Sequence, residues 1–272
     1  MSLRLFLSNL KLSRWGLVAW IVLILLYGML TMYLYPTVTE STIDILGYLN
    51  TLPEPMKAAL GYDGIDFSNA TFTPESFATI EFIVLWPLLI GVYGIFSSIG
   101  IAREAERGTL DLLLAQPIKR YKVLISKFAV FVVAALLIAA ASLLGLVFGT
   151  AIINESVNTT SLALALFEAL LLVLAFASIA VLCSVIFLEP RKSLLVSGVI
   201  MAGSYILNFI VPILGPSLEW LRNLSLFYHY QPHDVVGNAS LNGTAVTVYA
   251  VVAIVCFAAA LIVFQRRDLN AA

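Results

Sequence analysis

Little in this chain of 272 residues is charged: Asp, Glu, Lys and Arg together make up 11%, against about 25% in an ordinary soluble domain. There is too little polar surface here to coat one soluble core, or two, so a cytosolic enzyme and a disordered chain are both excluded. Cysteine is nearly absent. Cys183 and Cys256 each lie inside an apolar run, which implies no disulfide framework and excludes a secreted disulfide scaffold. Only two histidines occur, His229 and His233, and Pro232 interrupts the helix on which two residues four apart would share a metal. The sequence has no nucleophile–base pair, no metal-ligand cluster and no glycine-rich phosphate loop, so an integral-membrane enzyme has no support. It also lacks a long Gly/Ser linker, a low-complexity tract and an internal repeat, so residues 1–272 read as one membrane domain. What is present is 61% hydrophobic, with a mean hydropathy of +1.00. The fold class that follows is all-α: a polytopic membrane protein.

A membrane helix needs about 20 mostly apolar residues to cross roughly 30 Å of hydrocarbon. The runs between charged residues supply six, and trimming their loop-like ends predicts helices near 15–35, 80–102, 123–152, 161–188, 194–214 and 244–265. Lys and Arg in short loops stay on the cytoplasmic side. Thirteen of the 15 basic residues fall on one face, among them Arg14, Arg103, Lys127, Arg191 and Arg266, leaving Lys57 and Arg222 opposite. The expected orientation therefore has both termini in the cytoplasm, with the acidic loop 36–80 outside. Within residues 1–14, Arg4, Ser8, Lys11 and Arg14 recur at helical spacing with leucines in most gaps. That pattern predicts a short amphipathic helix in the interface. The apolar run after it is too long for a signal-peptide core and has no small-residue cleavage site, so it is expected to be retained.

The loop between the second and third helices is the most specific segment. It reads as a helix leaving the membrane to Arg107, a break at Gly108, and a short second helix capped by Thr109 and ended by Pro117. Leu110, Leu112, Leu113 and Leu114 make that helix very apolar for a segment flanked by cations. Two uses are open: packing beneath its own bundle, or insertion into a groove on a soluble partner.

Glu104, Gly108, Thr109, Leu110, Leu113, Leu114, Pro117 and Arg120, followed by Lys127, resemble the E-x-x-x-G-T-L…L-L…P-x-x-R…K signature of ABC-2-type permeases, the membrane subunits of ATP-binding-cassette exporters. The likeness extends to the six-helix layout and chain length. A weaker match runs from Leu224 through Gly237, where Leu226 replaces the proline of a Ser-Pro-Phe-like stretch, and it implies an outer re-entrant segment before the last helix. The resemblance implies a plasma-membrane permease that exports cargo as a dimer with an identical or homologous permease. It implies a separate ATPase subunit that binds ATP and magnesium, since no G-x-x-x-x-G-K-[S/T] occurs in this chain and no cofactor is expected in it. Residues after Gly108 would then form the coupling helix with Leu110, Leu113 and Leu114 as anchors, Glu104 would tie the second helix to it, and the loop from Glu189 to Lys192 would make a second contact. The rival reading is an ATP-independent assembly or scaffold protein whose leucine helix recruits another cytosolic partner. Nothing points to nucleic acid.

Glu168 lies about two turns into the fourth predicted helix. A buried acid in a span costs roughly 2.5–3.5 kcal/mol at the centre and should face the bundle or water. It is either a packing acid or a pathway group for cationic cargo. Asn208 and Ser204, four apart in the fifth helix, are candidates for interhelical hydrogen bonds. Gly94, Ser98 and Ala102, and Ala141, Gly145 and Gly149, form small-residue stripes suited to close helix approach, within the subunit or between copies. Six Asn-x-Ser/Thr sequons, at Asn69, Asn154, Asn158, Asn223, Asn238 and Asn242, reflect either polar outer loops or glycosylation.

Overall fold

The computed structural model describes residues 3–39, 47–48, 51–53, 56–57, 73–109, 119–214 and 216–266. All of the regular structure among them is helical, and six helices are long and apolar enough to cross a membrane. In chain order these elements are α1 (Leu3–Thr39), α2 (Pro74–Ala78), a π-turn (Thr79–Ile83), α3 (Trp86–Ser98), α4 (Gly100–Glu106), α5 (Arg120–Ile152), α6 (Thr159–Phe187), α7 (Pro190–Leu214), two 3-10 segments (Pro216–Leu224 and Leu226–His229), α8 (Pro232–Asn238) and α9 (Gly243–Arg266).

The helix starts follow from local chemistry. Thr73 caps α2, its hydroxyl accepting from the Ser76 amide at 3.2 Å, with Pro74 in the first helical position. Asn158 caps α6 by accepting from the amides of Thr160 and Ser161, and Asn242 caps α9 from Thr244 and Ala245. Two of the six sequon asparagines are thus accounted for as helix caps. Pro190 opens α7, where its missing N–H leaves no bond unmade.

Two departures from the expected helices have clear causes. The amphipathic segment 1–14 is helical, but α1 runs unbroken from Leu3 to Thr39 instead of forming a separate interfacial element. Nothing between Lys11 and Trp15 stops a helix; no glycine or proline intervenes. The second span, expected as one helix over 80–102, is interrupted twice. A π-turn at Thr79–Ile83, where the Val84 amide bonds the Thr79 carbonyl at 2.9 Å, precedes Pro87, and a second break falls at Ile99.

Pro87 has no N–H to give the carbonyl four residues before it, that of Ile83. The hydroxyl of Tyr230, distant in sequence, donates to that carbonyl at 2.7 Å. Two residues earlier, the Tyr27 hydroxyl donates to the Glu81 carbonyl at 2.8 Å. Tyrosines from two other elements therefore satisfy a backbone that lipid could not.

The most enclosed helix is α6, which packs against α3, α5, α7, α8 and α9. Its faces are apolar all round, as expected of a helix with neighbours on every side. Outside it, α1 lies along α5. Their approach is so close that a Cβ on Gly145 would stand 2.5 Å from the Leu25 carbonyl oxygen, and one on Gly149 would stand 2.6 Å from the Met32 Cβ. The stripe Ala141, Gly145 and Gly149 therefore serves packing within the subunit. Gly94 does likewise, facing Phe131 and Val173. Deep in the bundle, the Trp86 indole donates to Ser142 Oγ at 2.8 Å. Apolar side chains on the far sides of α7 and α9, such as Val199, Ile213, Ile254 and Val255, are exposed, as suits surfaces solvated by lipid.

Candidate functional site

The C-terminal end of α3, the N-terminal ends of α5 and α7 and the C-terminal ends of α6 and α9 meet at one end of the bundle, which carries most of the basic residues. A second apolar cluster builds this end: Ile101, Val123, Leu124, Val181, Val185, Leu188, Ala260 and Phe264. The break at Ile99 restarts the chain as α4 and exposes new amides with no helical partner. One of them, that of Ala102, donates to the Ser184 hydroxyl at 3.0 Å in a buried bond. Ser184 sits in the last turn of α6, immediately before the chain passes into the α6–α7 loop.

From this anchored start α4 carries Glu104 toward α5. Lys127 Nζ lies 2.6 Å from Glu104 Oε1, with the two side chains 19% and 22% exposed. A charge-assisted bond at that distance, partly shielded from water, is stronger than a fully exposed pair. The helix then ends at Gly108 with φ +66, and the Gly108 amide bonds the Ala105 carbonyl at 3.1 Å. This is the left-handed C-terminal position that glycine fills without a Cβ penalty. Thr109 folds back, its hydroxyl donating to the Glu104 carbonyl at 3.3 Å. On the return, Lys119 is extended and Arg120 begins α5.

Of the residues singled out from the sequence, Glu104, Gly108, Thr109 and Arg120 are thus gathered at this end, with Glu104 and Lys127 in direct contact. Leu110, Leu113, Leu114 and Pro117 lie outside the described residues. The loop after α6 is shaped by Leu188 at φ 53, and Lys192 pairs with Glu189 at 2.8 Å on an exposed surface. Ser193 Oγ donates to the Glu189 carbonyl at 2.8 Å and reaches the Cys183 carbonyl at 3.3 Å, tying this loop to α6. Both loops at the basic end therefore hang from the same last turns of α6. Sequence reasoning missed Ser184 and the break at Ile99; a serine in an apolar run facing a helix start has no local signature.

At the opposite end, residues 216–238 fold as short 3-10 and α segments instead of a simple loop. Fully buried Ser225 donates to the Ser204 carbonyl at 2.6 Å, and Ser204 Oγ accepts from the Leu226 amide at 2.8 Å. Ser204 was expected to bond another spanning helix; its partner is this segment, because the 3-10 turn leaves amides that need acceptors. The Tyr249 hydroxyl donates to the Leu226 carbonyl at 3.2 Å. Beneath lies Glu168, 0% exposed. Tyr230, Tyr249 and Asp234 are its electrostatic neighbours and the Gln231 amide approaches it, yet neither carboxylate oxygen completes a hydrogen bond within the described residues. Asn208 is 7% exposed, and its Oδ1 has no described partner. Glu168 faces the bundle, and neither it nor Asn208 joins Glu104 at the basic end. Burial pushes the Tyr230 phenol well above its ordinary range and the His233 imidazole down to about 4.

No characterised protein and no solved structure matches the chain. A family match does cover it: residues 11–269 fit the family described as ABC-2 family transporter protein. The six helices long and apolar enough to cross a membrane agree with that match. The chain belongs to the ABC-2 transporter family, as a multi-pass membrane subunit of the kind that works with an ABC ATPase.

Proposed function

We propose that the chain is the permease half of an exporter in the plasma membrane, acting as a dimer with a second identical or homologous permease and two ATPase subunits. The basic end faces the cytoplasm, with both termini there, as the bias of Lys and Arg favours. The segment after Gly108, capped by Thr109 and ended by Pro117, serves as the coupling helix, with Leu110, Leu113 and Leu114 in a groove of the ATPase and Glu104, Gly108 and Arg120 flanking it. ATP and magnesium are bound by the partner.

The supporting observation is the tether. A segment that transmits force must be stiffly joined to the helices it moves, and Glu104–Lys127 and Ala102–Ser184 join α4 to α5 and α6. Closure of the ATPases then pushes α4, and through it the two spans, so that the permease halves rock between inward- and outward-facing states. Glu168 and Asn208 are the enclosed polar groups that such a motion brings toward the pathway.

Co-purification with the cognate ATPase tests the reading. Leu113→Asp with Leu114→Asp should abolish complex formation and membrane-stimulated ATP hydrolysis. If both persist, the coupling assignment is wrong. Recruitment of a cytosolic partner with no ATPase activity would favour the scaffold reading. A cysteine replacing Arg191, exposed at the basic end, should resist labelling from outside and label once the membrane is permeabilised; labelling from outside would overturn the orientation.

A further inference from the structure

A cation withdrawn from water needs an anion close by. At the basic end Lys127 has Glu104, and Lys192 has Glu189. Arg103 has no acidic partner among the described residues, although it is only partly exposed. Burial, and then the neighbouring Arg107, holds its guanidinium below the ordinary value. It lines a pocket of about 220 Å³ between α1, α3 and α5, together with Asn9, Ser13, Tyr93, Ser97 and Lys127. Glu104 is not part of the lining, so its carboxylate offsets Lys127 while Arg103 is left, among the described residues, as excess positive charge.

The same seam continues away from the basic end. Trp20 of α1 rests on Tyr93 of α3, ring centroids 5.3 Å apart. Past that pair, α1 and α3 enclose an apolar groove of about 680 Å³, walled by Leu23, Leu26 and Leu30 on one side and Leu85, Leu88 and Leu89 on the other. Four of these, Leu23, Leu26, Leu30 and Leu89, are 42–58% exposed. At 1.5 Å per residue, Trp20 to Leu30 spans about 15 Å, half of the roughly 30 Å hydrocarbon core. Ser13 at the pocket lies a further seven residues, about 10 Å, before Trp20. The seam is thus polar and cationic at the basic end, and its apolar groove reaches about 25 Å along α1 from there, the reach of one extended lipid.

We propose that the α1/α3 seam binds one anionic phospholipid, its phosphate against Arg103 and Ser13 and an acyl chain along the leucine groove. A free inorganic anion would satisfy Arg103 but leave the groove to bulk lipid. A helix of another protein would fill the groove but bring no anion to the guanidinium. A phospholipid supplies both at the right separation, at the depth where basic side chains meet headgroups. The site needs neither an ATPase nor a second copy, so it stands apart from the coupling role proposed above.

The test is native mass spectrometry of the full-length protein, exchanged from detergent into defined phosphatidylglycerol and phosphatidylcholine. One phosphatidylglycerol per chain should be retained in preference to phosphatidylcholine. Arg103→Gln should lower that retention about fivefold, the worth of one basic residue at an anionic surface, while Arg103→Lys retains most of it. Leu26→Trp, filling the groove, should lower it as well, and millimolar inorganic phosphate should not displace the lipid. Equal retention of the two lipids, or no effect of Arg103→Gln, overturns the proposal. Displacement by phosphate together with an inert Leu26→Trp would mark a soluble-anion site and overturn it too. If Arg103→Gln fails to fold, Ser97→Trp blocks the pocket from its exposed rim and must give the same loss.

Discussion

Lys127, in the second turn of α5, holds the carboxylate of Glu104 on α4 at 2.6 Å, across 23 residues of sequence. The pair ties α4 to α5. Because both side chains are about one-fifth exposed, water screens part of the attraction. A double-mutant cycle on Glu104→Gln and Lys127→Met should return a coupling of about 0.5–1 kcal/mol in thermal unfolding of the purified protein. Coupling of ATP hydrolysis to transport should fall in each single variant, and the exchange Glu104→Lys with Lys127→Glu should recover part of it.

Gly108 tests the backbone alone, since a Cβ there would meet nothing within 4 Å while φ is +66. Gly108→Val should destabilise the turn by about 1–2 kcal/mol, and Gly108→Asn by less, because asparagine tolerates the left-handed region. Limited proteolysis between α4 and α5 would read the difference. Equal rates for the two variants would contradict a conformational role.

Glycine in a helix is ordinarily worse than alanine by about 0.5–1 kcal/mol. Gly203→Ala, with open space around it, should therefore be neutral or stabilising in a thermal melt. Gly145→Ala should lower the melting temperature, because the added Cβ would stand 2.5 Å from the Leu25 carbonyl oxygen and force α1 off α5. Similar behaviour at both positions would refute the close α1–α5 approach.

Tyr230→Phe removes the donor that meets the Ile83 carbonyl at 2.7 Å. The orphaned buried carbonyl should cost about 1–3 kcal/mol. Pro87→Ala restores an N–H four residues beyond Ile83, so the double variant should be more stable than Tyr230→Phe alone. Additive losses would show that the proline did not create the vacancy.

His233, on α8, carries an imidazole that burial pushes down to about 4 from an ordinary 6.5. The folded state then binds fewer protons than the unfolded one between those values, so its stabilising share is complete above pH 6.5 and is lost as pH falls toward 4. Hydrogen exchange at His233–Asn238, corrected for the intrinsic pH dependence of amide exchange, should lose protection on acidification from neutral pH through this window. His233→Gln should flatten the dependence; an unchanged slope would assign it elsewhere.

What the amino-acid order determined by itself was the number of spans, their class and the polarity of their ends. Apolar run length against bilayer thickness is a one-dimensional quantity, and so is the side on which Lys and Arg accumulate. Gly108 was legible for a similar reason, since a helix end with glycine states its own backbone conformation. Tertiary structure alone decided which faces meet. In α6 and α9 nearly every residue is apolar, and an apolar side chain gains little by leaving lipid for protein. No periodic pattern therefore marks the buried face, and only shape, such as Gly145 against Leu25, selects it. The remaining decisions were polar and long-range: Ser184 under Ala102, Ser225 on Ser204, Tyr230 on Ile83 and Lys127 on Glu104. Each answers a backbone or charge left unmet by a break or a proline, and its partner comes from whichever helix the packing brings alongside.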